Sequence, residues 1–193
     1  YLEHSLLAGP ETRAILILTY FFAAIFAIPV WLYLSKRFGK HRSWSFAMII
    51  ACIAFILVPF MPERSFFLFG FICFVTGSAL GADLILPPAM QADVVDYDRL
   101  KFSSERVGQQ FAFWGMATKF ALAISVGISL PIIGYFGFDP SSPTVSGVLA
   151  LTLIYAVLPV VLKIITIFTI WNFPLTNYKQ LIIRKRLARR KSF

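Results

Sequence analysis

Residues 14–34 read AILILTYFFAAIFAIPVWLYL, a run of 21 positions without a charged side chain. The hydrocarbon core of a lipid bilayer is about 30 Å thick, and about 20 apolar residues cross it as an α-helix. Four further apolar runs are 18 to 26 residues long, at residues 44–61, 66–90, 111–136 and 147–171. Strands of membrane β-barrels are about 10 residues long and alternate in polarity, unlike these runs. The pattern therefore predicts an all-α integral membrane protein with five transmembrane helices.

The composition excludes a soluble globular domain. The 193 residues are 59% hydrophobic and 14% charged, whereas soluble domains average about 45–50% apolar and about 25% charged residues. The net charge of +9 does not indicate nucleic-acid binding, because the basic residues lie between and after the apolar runs. Cys52 and Cys73 lie inside apolar runs, and His4 and His41 are far apart. We expect no metal site and no cofactor in this chain.

The distribution of Lys and Arg predicts the orientation, because cytoplasmic loops of membrane proteins carry an excess of both residues. Fourteen of the 18 lie on the side that five spans assign to the C-terminus. They are Lys36, Arg37, Lys40, Arg42, Arg99, Lys101, Arg106 and seven in residues 179–191. We therefore expect a plasma or inner membrane protein with a cytoplasmic C-terminus. Residues 14–171 would form the transmembrane bundle, and residues 172–193 a basic tail with a short amphipathic helix on the inner leaflet.

Lys119 lies near the midpoint of the fourth apolar run. A charged side chain there costs roughly 2.5–3.5 kcal/mol on insertion scales. Gly115, Ala123 and Gly127 share its helical face, and small residues allow close packing against protein. We predict that Lys119 faces a cavity as a substrate or coupling residue. The alternative is a lysine that extends to the interface or forms a purely structural pair.

Asp83 is the acidic residue at a depth that matches Lys119, about seven residues from the cytoplasmic end of the third run. We predict an Asp83–Lys119 ion pair that breaks or forms during transport. Alternatively, Asp83 accepts hydrogen bonds from nearby groups only. Lys163 lies towards the cytoplasmic end of the fifth run, where its long stem can reach the interface, so a structural role is expected.

The connection after the third run, residues 91–110, is rich in charge. Three carboxylates, Asp93, Asp96 and Asp98, are followed by Arg99 and Arg106. Paired carboxylates can perform acid–base chemistry, but these lie beside basic residues at the membrane surface. A salt-bridge network that joins the cytoplasmic ends of helices, as a gate, is the favoured interpretation.

Two features of the third run concern its packing. Gly77 and Gly81 form a G-x-x-x-G motif, which allows two helices to approach closely. Pro87 and Pro88 near the end of the run are expected to break or bend the helix.

Residues 86–98, LPPAMQADVVDYD, resemble the tenth-helix signature of the glycoside–pentoside–hexuronide:cation symporters, the melibiose-carrier-like members of the major facilitator superfamily. Residues 34–42, LSKRFGKHR, are similar to the superfamily's short cytoplasmic loop motif. The resemblance implies that the five runs are helices 8–12, and that residues 1–13 are the outer end of helix 7 and an outer loop. Tyr1 stands where an initiator Met would be, which suggests a fragment.

The resemblance implies a function as the C-terminal half of a symporter that moves a sugar or related small solute by alternating access. Lys119 is similar to a lysine in the family's substrate region, and the turn that precedes it holds Trp114 and Thr118. The coupling cation, Na⁺ or H⁺, would bind mainly in the N-terminal half. That half, the bilayer and a small solute are then the partners.

Trp114 and Thr118 differ from the polar residues expected to contact sugar in a melibiose carrier. A related branch moves lysophospholipids with sodium, so an amphiphile is the alternative cargo. A non-transporting membrane scaffold is a further alternative. A membrane enzyme is disfavoured, because the sequence contains no recognisable nucleophile–base or metal pattern.

Overall fold

The computed structural model describes residues 9–60, 62, 65–102, 106–139 and 144–191. Five helical segments in them are long and apolar enough to cross a membrane, which confirms the predicted all-α membrane fold. The helices are α1 Pro10–Phe38, α2 Lys40–Leu57, α3 Phe66–Phe102, α4 Val107–Tyr135, α5 Val145–Thr152, α6 Leu158–Ile170 and α7 Asn177–Lys191. A 3₁₀ turn, Val58–Phe60, extends α2, and a π-helical segment, Leu153–Val157, joins α5 to α6.

The N-terminal boundary differs from the expectation. Residues 1–8 lie outside the described part of the chain, but Pro10 to Arg13 form the first turn of α1 rather than a loop. Pro10 suits this position, because backbone N–H groups in the first turn of a helix have no carbonyl partner within the helix. The N–H that proline lacks is therefore not missed there.

Helices α1 and α2 are separated by a single residue, Gly39. Its φ of 95° lies in the region that side chains disfavour, and its N–H donates to the carbonyl of Ser35 at 3.1 Å. A glycine there allows the chain to reverse without steric strain. The turn brings Lys36 and Lys40 to the same end of the bundle.

Close contact between α1 and α3 forms the centre of the bundle. A Cβ atom on Gly77 or Gly81 would clash with the backbone carbonyl of Tyr20 or Ala24, respectively. The indole N–H of Trp31 donates to the carbonyl of Ser78 at 2.7 Å across the same interface. The predicted close approach at the G-x-x-x-G motif is therefore confirmed.

Helix α3 is longer than the sequence indicated. It continues without interruption past Pro87 and Pro88 to Phe102, so the expected break is wrong, and residues 91–102 are helix rather than connection. Both Leu86 and Pro87 are buried in the bundle, and we attribute the continuity to this packing. The polar residues after Met90 mark the end of the apolar segment, not the end of the helix.

Helix α4 stands apart from the rest. Of its residues, only Ile133 is buried. A Cβ placed on Gly115 or Gly127 would meet no heavy atom within 4 Å among the described residues. The small-residue face that the sequence predicted to pack against protein thus has no partner within this part of the chain.

The tail helix α7 docks on the bundle. Gln180 and Ile183 are buried, and the side-chain amide of Asn177 donates to the carbonyl of Ser35 at 3.1 Å. The expected helix is present, but it covers the ends of α1 and α3.

Candidate functional site

The carboxylate of Asp83 binds two groups from other helices. The indole N–H of Trp44, in α2, donates to Oδ1 at 2.6 Å, and Nζ of Lys163, in α6, lies 2.9 Å from Oδ2. The side chains of Asp83 and Lys163 are 31% and 22% exposed. The Trp44–Asp83–Lys163 cluster therefore joins α2, α3 and α6.

The predicted Asp83–Lys119 pair is wrong, because Asp83 is held by Lys163 and points towards α2 and α6. Lys119 is exposed on α4, the helix that has the fewest buried residues of the five spans. Matching depth identified the correct level in the membrane but the wrong lysine. The signal for Lys163 was present in the sequence, since it is the other lysine within an apolar run.

The remaining predicted substrate residues also lie on α4. Trp114 and Thr118 are both exposed, and the hydroxyl of Thr118 donates to the carbonyl of Trp114 at 2.9 Å. All three predicted substrate residues of α4 are therefore exposed. The side of the helix that carries Lys119 with Gly115, Ala123 and Gly127 is called the α4 face. Asp83 is not part of it.

A second charged cluster lies at the end of the bundle where α1 and α2 meet. Lys40 Nζ is 2.6 Å and 2.7 Å from the two carboxylate oxygens of buried Asp93, and it also donates to the carbonyl of Ala89 at 3.1 Å. Arg184 of α7 reaches the carboxylates of Asp93 at 3.6 Å and Asp96 at 3.4 Å. Gln180 donates to Asp96 at 2.9 Å.

The predicted salt-bridge network thus exists around Asp93 and Asp96, but its cations come from elsewhere in the chain. Lys40 belongs to the α1–α2 turn and Arg184 to the tail, whereas the sequence suggested Arg99 and Arg106. Neither Asp98 nor Arg106 forms an ion pair within the described residues, and Arg106 is exposed. The network joins α2, α3 and α7.

An apolar cavity of about 380 Å³ lies between α1, α3 and the π-helical segment. Its wall contains Leu16, Phe69 and Ile72, together with the hydroxyl-bearing side chains of Tyr20 and Tyr155. Tyr155 packs edge-on against Phe55 with ring centroids 5.9 Å apart. π-helical turns are often found at functional sites. Such a cavity suits a hydrocarbon chain better than a sugar, which needs several polar partners.

Comparison with known proteins identifies the class of fold. The family model described as MFS/sugar transport protein matches residues 1–177. The sodium-dependent lysophosphatidylcholine symporter 1 of Xenopus tropicalis is 27% identical over 177 residues, covering 89% of this chain and 33% of that protein. Its 1-B counterpart in Danio rerio is 27% identical over 170 residues, covering 86% and 32%. The sphingosine-1-phosphate transporter MFSD2B of Xenopus tropicalis is 27% identical over 174 residues, covering 84% and 32%. The chain spans about a third of the length of these relatives.

Proposed function

Because the chain belongs to the MFS/sugar transport protein family, we propose that it is the C-terminal half of a cation-coupled symporter. The half-bundle would work by alternating access, with its substrate site at the interface with the N-terminal half. The observation that carries this proposal is the exposure of Lys119 on the α4 face.

The energetic argument concerns what can cover that face. A lysine exposed to hydrocarbon near the middle of a helix costs roughly 2.5–3.5 kcal/mol. Lys119 lies 12 residues from the start of a 29-residue helix, so the interface is distant. Protein or a water-filled cavity must therefore surround it, and the nearby Gly115 and Gly127 leave room for close helix packing. The N-terminal half is the natural occupant of this surface.

The cargo that we propose is a single-chain lipid with a phosphate head group. The relatives named above are described as moving lysophosphatidylcholine or sphingosine-1-phosphate, and both molecules combine one hydrocarbon chain with a phosphate. The ammonium group of Lys119 complements such a head group. The apolar cavity beside Tyr20 and Tyr155 would accommodate part of the chain.

Sodium is the proposed coupling ion, because the lysophosphatidylcholine symporters are described as sodium-dependent. We expect the cation to bind mainly in the N-terminal half. The role of this chain would be to supply the other wall of the substrate cavity.

Uptake by the full-length protein in proteoliposomes tests this proposal. Labelled lysophosphatidylcholine should accumulate under an inward Na⁺ gradient, and labelled melibiose should not. Lys119→Ala should reduce lipid uptake at least about tenfold while leaving thermal stability unchanged, since a lost charge-assisted contact with a phosphate amounts to roughly 1.5–3 kcal/mol. Lys179→Ala, at an exposed position of α7, is the matched control and should transport normally.

Two results would contradict the proposal. Melibiose uptake without lipid uptake would assign the sugar as cargo. Accumulation that ignores both the Na⁺ and the H⁺ gradient would exclude symport.

A further inference from the structure

A basic cavity lies at the end of the bundle that the Lys and Arg distribution predicts to be cytoplasmic. It has a volume of about 420 Å³, which is in the range of small-molecule sites. Four cationic side chains line it: Lys36, Lys40, Arg184 and Lys185. Leu181 provides an apolar part of the wall.

Two different segments supply these cations, and the docking of α7 holds them together. Lys36 and Lys40 flank the turn at Gly39, whereas Arg184 and Lys185 belong to the tail. Asn177 bonds to the carbonyl of Ser35, so the start of α7 is fixed against the end of α1. The cavity is therefore formed by the folded arrangement rather than by a run of basic sequence.

The charges in the cavity are not balanced by protein groups. Lys40 and Arg184 share the carboxylates of Asp93 and Asp96. Four cations against two carboxylates leave two positive charges. Lys36 and Lys185 carry this excess, since neither forms an ion pair within the described residues, and both are exposed.

The position of the cavity indicates what its ligand is. Lys36 lies in the last turn of α1, and Lys40 is the first residue of α2, so the cavity is level with the ends of two membrane-spanning helices. Lipid head groups occupy this level, and the cytoplasmic leaflet is rich in anionic lipids. Basic pockets between helices on that side are known to bind anionic head groups.

We propose that this cavity binds the phosphate head group of an anionic phospholipid of the inner leaflet. The phosphate would lie between Lys36 and Lys185, while Lys40 and Arg184 remain on Asp93 and Asp96. Binding would cross-link the tail helix to the α1–α2 turn. This site is separate from the α4 face and does not depend on the identity of the cargo.

Native mass spectrometry of the full-length, delipidated protein tests the site. Phosphatidylglycerol and phosphatidylcholine with identical acyl chains are the probes, and only the first should bind tightly. Lys36→Gln/Lys185→Gln should weaken phosphatidylglycerol binding about a hundredfold, because each substitution removes a direct charge-assisted contact with the phosphate, which contributes roughly tenfold.

The matched control is Arg37→Gln/Lys179→Gln. It removes the same charge from the same two segments, but both positions are exposed and lie outside the cavity. This variant should bind phosphatidylglycerol within about threefold of the wild type, since only remote charges are lost. Equal loss in both variants would show general attraction to the surface and overturn the proposal, as would an unchanged affinity in the first.

A second measurement requires no substitution. Amide hydrogen exchange in α7 should slow when phosphatidylglycerol is added and stay constant with phosphatidylcholine. Inorganic phosphate at the same concentration should neither slow this exchange nor displace the lipid. If it does, the cavity binds a soluble anion, and the assignment to a lipid head group is wrong.

Discussion

Replacing Lys163 with Met should destabilise the protein through Asp83. The change removes the ammonium group 2.9 Å from Oδ2 of Asp83 and leaves the carboxylate with the Trp44 indole as its partner. Breaking a fully buried ion pair costs about 3–5 kcal/mol, whereas exposed pairs contribute about 0.2–1 kcal/mol. The side chains of Asp83 and Lys163 are 31% and 22% exposed. We therefore expect the free energy of unfolding to fall by an intermediate amount, about 2 kcal/mol.

The assay is a double-mutant cycle on the full-length protein in detergent, read out as thermal unfolding. Lys163→Met and Asp83→Asn should each lower the Tm. The double variant has no net charge in the cluster, and its Asn side chain still accepts from Trp44. It should therefore unfold at a higher temperature than the additive expectation, with a coupling free energy of about 1 kcal/mol or more.

The control cycle replaces Lys119 instead of Lys163. Lys119→Met with Asp83→Asn should be additive within about 0.5 kcal/mol, because these side chains share no contact. Coupling to Lys119 and additivity with Lys163 would refute the geometry of the cluster. Additivity in both cycles would refute the role of the ion pair in stability.

Two further predictions concern packing and the second charged cluster. Gly77→Ala should lower the Tm, because the added Cβ would clash with the backbone carbonyl of Tyr20 and overpacking costs about 1–3 kcal/mol. The control is Gly70→Ala, whose Cβ would have an ordinary 3.6 Å contact and which should have little effect. Equal shifts in Tm for the two variants would contradict the close approach of α1 and α3. Lys40→Gln should lower the free energy of unfolding by about 2 kcal/mol, because buried Asp93 loses its nearest cation. The control is Arg37→Gln, at an exposed position of the same turn. An unchanged Tm in both variants would count against a stabilising role of the network.

Hydropathy predicted the five spans well because the bilayer imposes a length on each apolar helix. The same signal failed for α3, which continues for 12 residues beyond Met90. Hydropathy indicates whether a segment is surrounded by lipid or by water. It does not indicate whether the backbone remains helical. The polar extension is stabilised by tertiary contacts, such as that of Lys40 with Asp93, which no local pattern contains.

The error over the partner of Asp83 has a different physical origin. Sequence position gives the depth of a residue in the membrane, and at that depth both Lys119 and Lys163 were available. Which lysine meets the carboxylate depends on which helices are neighbours. In the structure α6 lies against α2 beside Asp83, whereas α4 stands apart. Which helices are neighbours is a property of the tertiary fold, and it cannot be read from the pattern of a single sequence.

The positions of the charged residues indicate which contacts would stay fixed and which would change in the proposed symporter. The Asp83–Lys163 and Asp93–Lys40 pairs both join helices within this chain, so they stabilise it as one unit. Lys119 lies on the α4 face, outside both clusters, where the N-terminal half would pack. Alternating access by rocking of two halves requires rigidity inside each half and exchangeable contacts between them. In the proposed symporter, the internal pairs on α2, α3, α6 and α7 would supply the rigidity. Lys119 on α4 lies outside these pairs, so its contacts are the ones that we expect to change if the protein transports by this mechanism.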